Sequence, residues 1–252
     1  MIKVTILGAG NIGTHLCKAF AKSSEILLVE NYNRKGESIE NCSVKVTNNL
    51  QKLQKSDVYI VTFSDRSLLE IPEKLEHLKG IIVHTSGATS INTFASFEKH
   101  GVLYPIQSIR KEIPIDFKNV PMGIEGNSEK VAETLKTLAQ SISNHVECLN
   151  SKQRLQLHIA AVFANNFSNF MYTQAASICE DTNIDFQLML PLINNTIEKL
   201  KYNTPNNLQT GPAIRNDLLT IEKHLEHLKN TQQKELYRTL TKAIQTHYEK
   251  EL

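Results

Sequence analysis

Short apolar runs and amphipathic stretches alternate along the first half of the chain. Lys3–Leu7 is a compact apolar run, and Asn11–Lys22 sets Ile12, Leu16, Ala19 and Phe20 at helical spacing. Glu25–Tyr32 is rich in Ile, Leu and Val, Ser43–Thr47 alternates, and Asp57–Phe63 is a continuous β-branched and aromatic run. Gly80–His84 has the same buried-strand character. Asn48–Lys55 and Ile91–Lys99 read as helical, Gly101–Tyr104, Val120–Glu125 and Val146–Leu149 as further strands, and Glu129–Ser143 as an amphipathic helix. Strands that alternate with helices predict βαβ units and a mostly parallel sheet.

From Ser151 onward the strand pattern stops. Ser151–Asp181 reads as one long helix, Asp185–Tyr202 as a second, bent near Pro191, and Ala213–Leu228 and Gln232–Glu249 as a third and fourth. Asn203–Gly211, with Pro, Asn and Gly, is a loop. The pattern therefore predicts an α/β domain over residues 1–150 and an all-α domain over residues 151–252.

Composition narrows the function classes. The chain has 252 residues, 40% of them apolar, which suffices for a sizeable core. A net charge of +2, with both signs mixed along the chain, gives no footprint for nucleic acid or an anionic membrane. The longest apolar stretch, near Ile159–Ala164, is too short to span a bilayer, and Met1-Ile2-Lys3 runs straight into the first strand without an export signal. Cys17, Cys42, Cys148 and Cys179 are dispersed, without metal-type spacing. They read as reduced thiols of a cytoplasmic protein that binds no metal.

The turn after the first strand carries the clearest chemistry. Gly8-Ala9-Gly10-Asn11-Ile12-Gly13 fits GxGxxG between a strand and a helix, with another strand following, the context of a Rossmann dinucleotide-binding domain. Gly8 permits the tight turn, Gly10 the approach of a pyrophosphate, and Gly13 close helix packing, while Asn11 and Ile12 open the helix whose N–H groups face the phosphates. Twenty residues beyond Gly13 stands Asn33, followed by Arg34 and Lys35. A carboxylate there would select NAD; Asn-Arg-Lys attracts a 2′-phosphate and argues for NADP. Glu30 is the alternative ribose ligand if the strand ends early.

Polar strand ends and helix faces supply candidate substrate contacts. Ser64 of Ser64-Asp65-Arg66-Ser67 is placed at the cofactor, and Thr85, Ser86 and Gly87 at the substrate; helix capping by Ser64 or Ser86 is the competing reading. Tyr104-Pro105 ends either a cleft-lining strand or a proline-terminated edge strand. Arg154, His158, Asn165 and Asn169 share one face of the predicted long helix, with Asn166 beside them, among residues apolar enough to predict burial. His158 is the candidate general acid, Asn165 and Asn166 its positioning partners, and Arg154 a substrate ligand. In Thr210–Asp217, Thr210 is a helix cap and Arg215, held by Asp217, a grip for a substrate carboxylate.

Taken jointly, Gly8–Gly13, Tyr32-Asn33-Arg34, His84–Gly87, Tyr104–Gln107, His158 with Asn165-Asn166, and Thr210–Ala213 with Arg215, Asp217 and His224 resemble one family. It is the Rossmann-like oxidoreductases whose helical half is the domain of unknown function 2520, similar in layout to pyrroline-5-carboxylate reductase and the β-hydroxyacid dehydrogenases. The resemblance implies NADP binding, a helical domain of the 6-phosphogluconate-dehydrogenase-like type and a homodimer formed through it. The lysine that the β-hydroxyacid dehydrogenases use on the first helix after the Rossmann domain has no match here; His158 stands in a similar place. The expected activity is hydride transfer between NADP and a small, carboxylate-bearing keto acid, hydroxy acid or imine, in a cleft between the two domains. The alternative is a sensor or scaffold that binds NADP without turnover.

Overall fold

A computed structural model describes residues 1–249. Its first half forms an eight-stranded sheet of β1 (Ile2–Leu7), β2 (Ile26–Tyr32), β3 (Lys45–Thr47), β4 (Val58–Val61), β5 (Ile81–His84), β6 (His100–Pro105), β7 (Met122–Gly126) and β8 (Val146–Cys148), in the order β3-β2-β1-β4-β5-β6-β7-β8. All neighbouring pairs are parallel except β6–β7. This is the mostly parallel, Rossmann-like sheet that the alternating pattern predicts. Helices α1 (Asn11–Phe20), α2 (Asp65–Glu70), α3 (Pro72–Leu75) and α4 (Glu129–Gln140) accompany it.

Period-two alternation divides the sheet between two cores. Val4, Ile6, Val58 and Ile60 pack with Leu16 and Phe20 of α1 and Leu135 and Leu138 of α4. Leu7, Tyr59 and Val61 pack with Leu68 of α2, Leu75 of α3 and Phe94. Strands buried on both faces show no polar–apolar alternation, and for that reason they read as continuous runs. The chain reverses direction of travel across the sheet between β1 and β4, which opens a crevice at the carboxyl ends of these strands.

Some predicted elements differ. Asn48–Lys55 and Ile91–Lys99 contain only the short 3₁₀ turns Leu50–Lys52 and Ile91–Phe94; each is capped at its start but is too short to propagate as a helix. Tyr104-Pro105 closes an interior strand rather than an edge strand, since β6 is paired on both sides. Pro105 is tolerated there because it is the last residue of β6, and Ile106 takes up the pairing by donating to Pro121.

The long helix expected from Ser151 is interrupted. Helix α5 (Ser151–Ala161), opened by an Asn150–Gln153 capping box, gives way to a π-helical stretch, Val162–Phe167, before α6 (Ser168–Glu180). Then come α7 (Leu190–Lys199), α8 (Leu218–His227) and α9 (Thr231–Tyr248). Pro191 sits in the first turn of α7 instead of bending its middle, where its missing N–H costs nothing. Helix α8 starts at Leu218 and not Ala213, because Asn216 adopts φ 52° and Asp217, not Thr210, provides the cap.

The chain divides into two compact units, Met1–Asn165 and Asn166–Leu252. In the second, α6 and α7 bury no residue, and Leu192 is 62% and Leu219 82% exposed. The burial expected around His158 is also absent, with Phe163 65% exposed. Among the described residues no helix is long and apolar enough to cross a membrane.

Candidate functional site

The glycine turn is built by contacts that exclude side chains. Gly8 adopts φ 121°, and a Cβ on it would overlap Thr62 Oγ1. A Cβ on Gly13 would overlap the Gly8 carbonyl oxygen, so α1 packs closely on β1. Gly10 differs: nothing lies within 4 Å of where its Cβ would be. No side chain caps α1, which leaves its first-turn N–H groups to solvent or a ligand. An open approach beside an uncapped helix N-terminus is what a dinucleotide pyrophosphate requires, so these residues fit such a group. At the head of α1, Asn11 is exposed, and Ile12 packs partly against the core.

A cavity of about 590 Å³ joins Gly8, Ala9 and Gly10 to Asn33, Arg34 and Lys35 beyond β2, and to Ser64 beyond β4. Arg34 is exposed and has no hydrogen-bond or ion-pair partner among the described residues. Lys35 lies 3.7 Å from Glu37. Lys74 and Lys111, which the sequence did not single out, border the same cavity. Ser64 both lines the cavity and caps α2, accepting from Ser67 N at 3.4 Å. Glu30 is outside the cavity lining: it is buried within β2, accepts from Gln54 N, and sits 3.9 Å from Lys45 Nζ. The strand ends at Tyr32, two residues later, which removes the premise on which Glu30 would reach a ribose.

A second cluster forms where β5, β6, β7 and α5 meet. Arg154, expected at substrate, is 1% exposed; its Nη1 donates to the carbonyls of Ser86 (2.9 Å) and Gly87 (3.0 Å), and its Nη2 to Glu125 Oε2 (3.1 Å) and Ser151 Oγ (3.2 Å). Glu125 also accepts from the backbone and hydroxyl of Ser151. The guanidinium thus fastens α5 to the turn after β5 and to β7, and its bonds are internal. Thr85 and Ser86 are buried, and Ser86 Oγ accepts from Ala88 N and Thr89 N, so this hydroxyl organises the turn.

One helical turn beyond Arg154, the half-buried His158 brings Nδ1 to 3.1 Å from Tyr104 Oη, the rings meeting edge-on. Gly87 floors this pair: a Cβ there would lie 2.6 Å from His158 Nδ1 and 2.8 Å from Tyr104 Cζ. Burial pushes the Tyr104 phenol up, against a smaller downward pull from Arg154, so it stays protonated at neutral pH. His158 Nε2 has no partner among the described residues, which leaves it available to a reacting group. Behind the turn, burial and then the Arg154 charge depress His84 to about 4. Its Nε2 faces the Ser90 carbonyl and its Nδ1 the Ser86 N–H, a pairing that only the neutral Nε2–H tautomer satisfies.

Other predicted residues are not brought to this cluster by the observed contacts. Asn165 and Asn166 are exposed in the π-helical stretch. The shared face with His158 assumed 3.6 residues per turn throughout, and that register does not carry across a π turn. Asp217 caps α8, and its hydrogen bonds from Thr220 hold its carboxyl below the usual range; among the described residues it forms no salt bridge with the exposed Arg215. Sequence reasoning missed Glu125 and Asn31. The only available signal was a charged and an amide residue inside otherwise apolar strands.

Comparison with known proteins agrees with this layout. The model described as "NADP oxidoreductase coenzyme F420-dependent" matches residues 3–85, and the domain of unknown function 2520 matches residues 120–244. A crystal structure of a Bacteroides fragilis protein, provisionally described as an NADP oxidoreductase, is 34% identical, with 97% of this chain and 98% of that one covered and a TM-score of 0.90. The fold is shared with 1-pyrroline-5-carboxylate reductase from Streptococcus pyogenes (14% identity, 97% and 98% covered, TM-score 0.62). It is also shared with Plasmodium falciparum pyrroline carboxylate reductase with NADP bound (14%, 97% and 98%, 0.57). No curated protein matches the sequence.

Proposed function

Because the chain belongs to the NADP oxidoreductase family that carries the domain of unknown function 2520, we propose that it binds NADP and transfers a hydride between it and a small substrate. The substrate class is a carboxylate-bearing keto acid, hydroxy acid or imine. The observation that carries this reading is one cavity that unites the open Gly10 turn with Arg34 and Lys35. When bound, NADP supplies or accepts the hydride.

The chain's own residues do the rest. The first-turn N–H groups of α1 hold the pyrophosphate, and Arg34 with Lys35 holds the 2′-phosphate. Arg154 and Glu125 fix the Ser86-Gly87 turn against α5. Tyr104 fixes the His158 ring by accepting from Nδ1–H, a bond open both to the imidazolium and to the neutral Nδ1–H imidazole that remains after Nε2 gives up its proton. His158 gives the proton at Nε2 to the substrate anion that develops in reduction, and takes it back in oxidation.

Fluorescence titration with NADPH and NADH tests the cofactor: NADPH binds more tightly, and equal binding or none removes the proposal. NADPH oxidation screened against keto acids and imines, with His158→Ala alongside, tests the chemistry. The variant loses about 100-fold or more in kcat; undiminished turnover rules out His158 as the proton donor. The exposed apolar surface of the second unit supports a homodimer, which sedimentation velocity over a concentration series would detect.

A further inference from the structure

Asn33 occupies the position that sequence spacing assigns to ribose recognition, yet its amide is turned into the protein. Its Nδ2 donates to Asn31 Oδ1 (3.1 Å) and to the Glu37 carbonyl (2.9 Å), which uses both N–H bonds. Its Oδ1 accepts from Glu37 N at 3.1 Å. Asn33 therefore clasps both backbone groups of Glu37 and closes the turn that carries Arg34, Lys35 and Gly36. The Gly36 N–H bond to the Asn33 carbonyl (3.0 Å) closes the same turn from the backbone.

Asn31 continues the chain of amides inward. Fully buried near the end of β2, it donates through Nδ2 to the carbonyls of Ile6 (3.1 Å) and Gly8 (2.8 Å). The last of these is the first residue of the glycine turn. Two carboxamides thus link the turn that faces a pyrophosphate to the turn that presents Arg34, beside the backbone bond from Gly8 N to the Tyr32 carbonyl (2.7 Å). Both ends need a donor and an acceptor at once, a requirement that an amide meets and a carboxylate does not.

We propose that Asn31 and Asn33 are positioning residues for 2′-phosphate recognition: they set Arg34 and Lys35 in register with the glycine turn, and neither touches the ribose. This rests on the NADP reading above. It makes the preference for a 2′-phosphate indirect, with Arg34 as the gripping group and the amide chain as its mount.

Isothermal titration with NADPH, NADH, 2′,5′-ADP and ADP tests this on Asn33→Asp, Asn33→Ala and Arg34→Ala, with thermal melts to confirm folding. Position 33 is half-buried and Arg34 exposed, so all three variants should retain the melting transition of the parent chain. Asn33→Asp turns a carboxylate toward Asn31 Oδ1 and the Glu37 carbonyl, and releases the turn. Both Asn33 variants bind NADPH and 2′,5′-ADP about tenfold or more weakly, the worth of one charge-assisted contact. NADH and ADP change by less than about twofold. A gain in NADH affinity for Asn33→Asp overturns the proposal, because the side chain would then face the ribose. Unchanged NADPH affinity in both Asn33 variants, with preference lost in Arg34→Ala, also overturns it and leaves the NADP reading intact. Preference retained in Arg34→Ala refutes the NADP reading of this turn itself.

Discussion

Gly87→Ala adds one methyl group at the point where the β5 turn, β6 and α5 converge. The new Cβ would stand 2.6 Å from His158 Nδ1, 2.8 Å from His158 Cγ and 2.8 Å from Tyr104 Cζ, roughly 1 Å inside ordinary carbon contact. The turn cannot retreat, because Arg154 holds the Ser86 and Gly87 carbonyls from behind. The imidazole therefore moves and breaks its 3.1 Å bond to Tyr104. Overpacking costs about 1–3 kcal/mol, and the lost hydrogen bond adds about 1 kcal/mol. Chemical denaturation should show a loss of about 2–4 kcal/mol. Nitrogen-15 spectra of the histidine rings should show the His158 Nδ1 signal lose its hydrogen-bonded shift, and turnover should fall while NADPH affinity holds, since Gly87 lies outside the nucleotide cavity. A variant with unchanged stability and an unchanged His158 signal would refute the packing argument. Impaired NADPH binding would refute the separation of the two sites.

Glu125→Leu leaves the buried Arg154 charge uncompensated and should cost about 3–5 kcal/mol by urea titration, while Glu125→Leu with Arg154→Met together recovers most of it; equal losses in the single and double variants would contradict the pairing. His84 is depressed from its ordinary 6.5 to about 4, so the unfolded chain binds the extra proton between these values. Its contribution, about 3 kcal/mol, is complete above pH 6.5 and is lost as pH falls toward 4; His84→Asn should flatten that part of the stability curve, and parallel curves would dismiss the assignment. Gly8→Ala combines an unfavourable φ with overlap on Thr62 Oγ1 and should both destabilise the fold by more than about 2 kcal/mol and weaken NADPH binding, read by melting and titration. Tyr104→Phe keeps the ring packing and removes the Nδ1 partner, so the pH profile of kcat should shift while KM for NADPH stays constant; an unmoved profile would show that the phenol does not act on His158.

Much of the first half was legible because its signals are local. Strands β1, β4 and β5 are apolar runs whose burial on both faces leaves a mark in consecutive residues. Gly8–Gly13 carries its own steric logic, which the contacts at Gly8 and Gly13 repeat. Asn33-Arg34-Lys35 was placed at the coenzyme by counting residues, and the cavity does join it to the glycine turn. The inward direction of the Asn33 amide was not legible, since it depends on Asn31 and Glu37 meeting across a turn. Arg154 was misread for the same reason: its partners, Glu125 and the Ser86 and Gly87 carbonyls, lie 29, 68 and 67 residues away in the chain.

The sequence by itself determined the order of the strands, the mostly parallel sheet, the dinucleotide turn and the basic residues near it, because periodicity, steric demands of glycine and residue spacing act within a few turns of chain. Only the tertiary structure decided which polar groups face one another. It turned Arg154 into an internal fastener, joined Tyr104 to His158 over Gly87, and replaced one long helix by α5, a π turn and α6. Hydrogen bonds between distant residues leave no periodic trace, so a polar side chain's partner is fixed only when the packed strands and helices bring it within 3 Å.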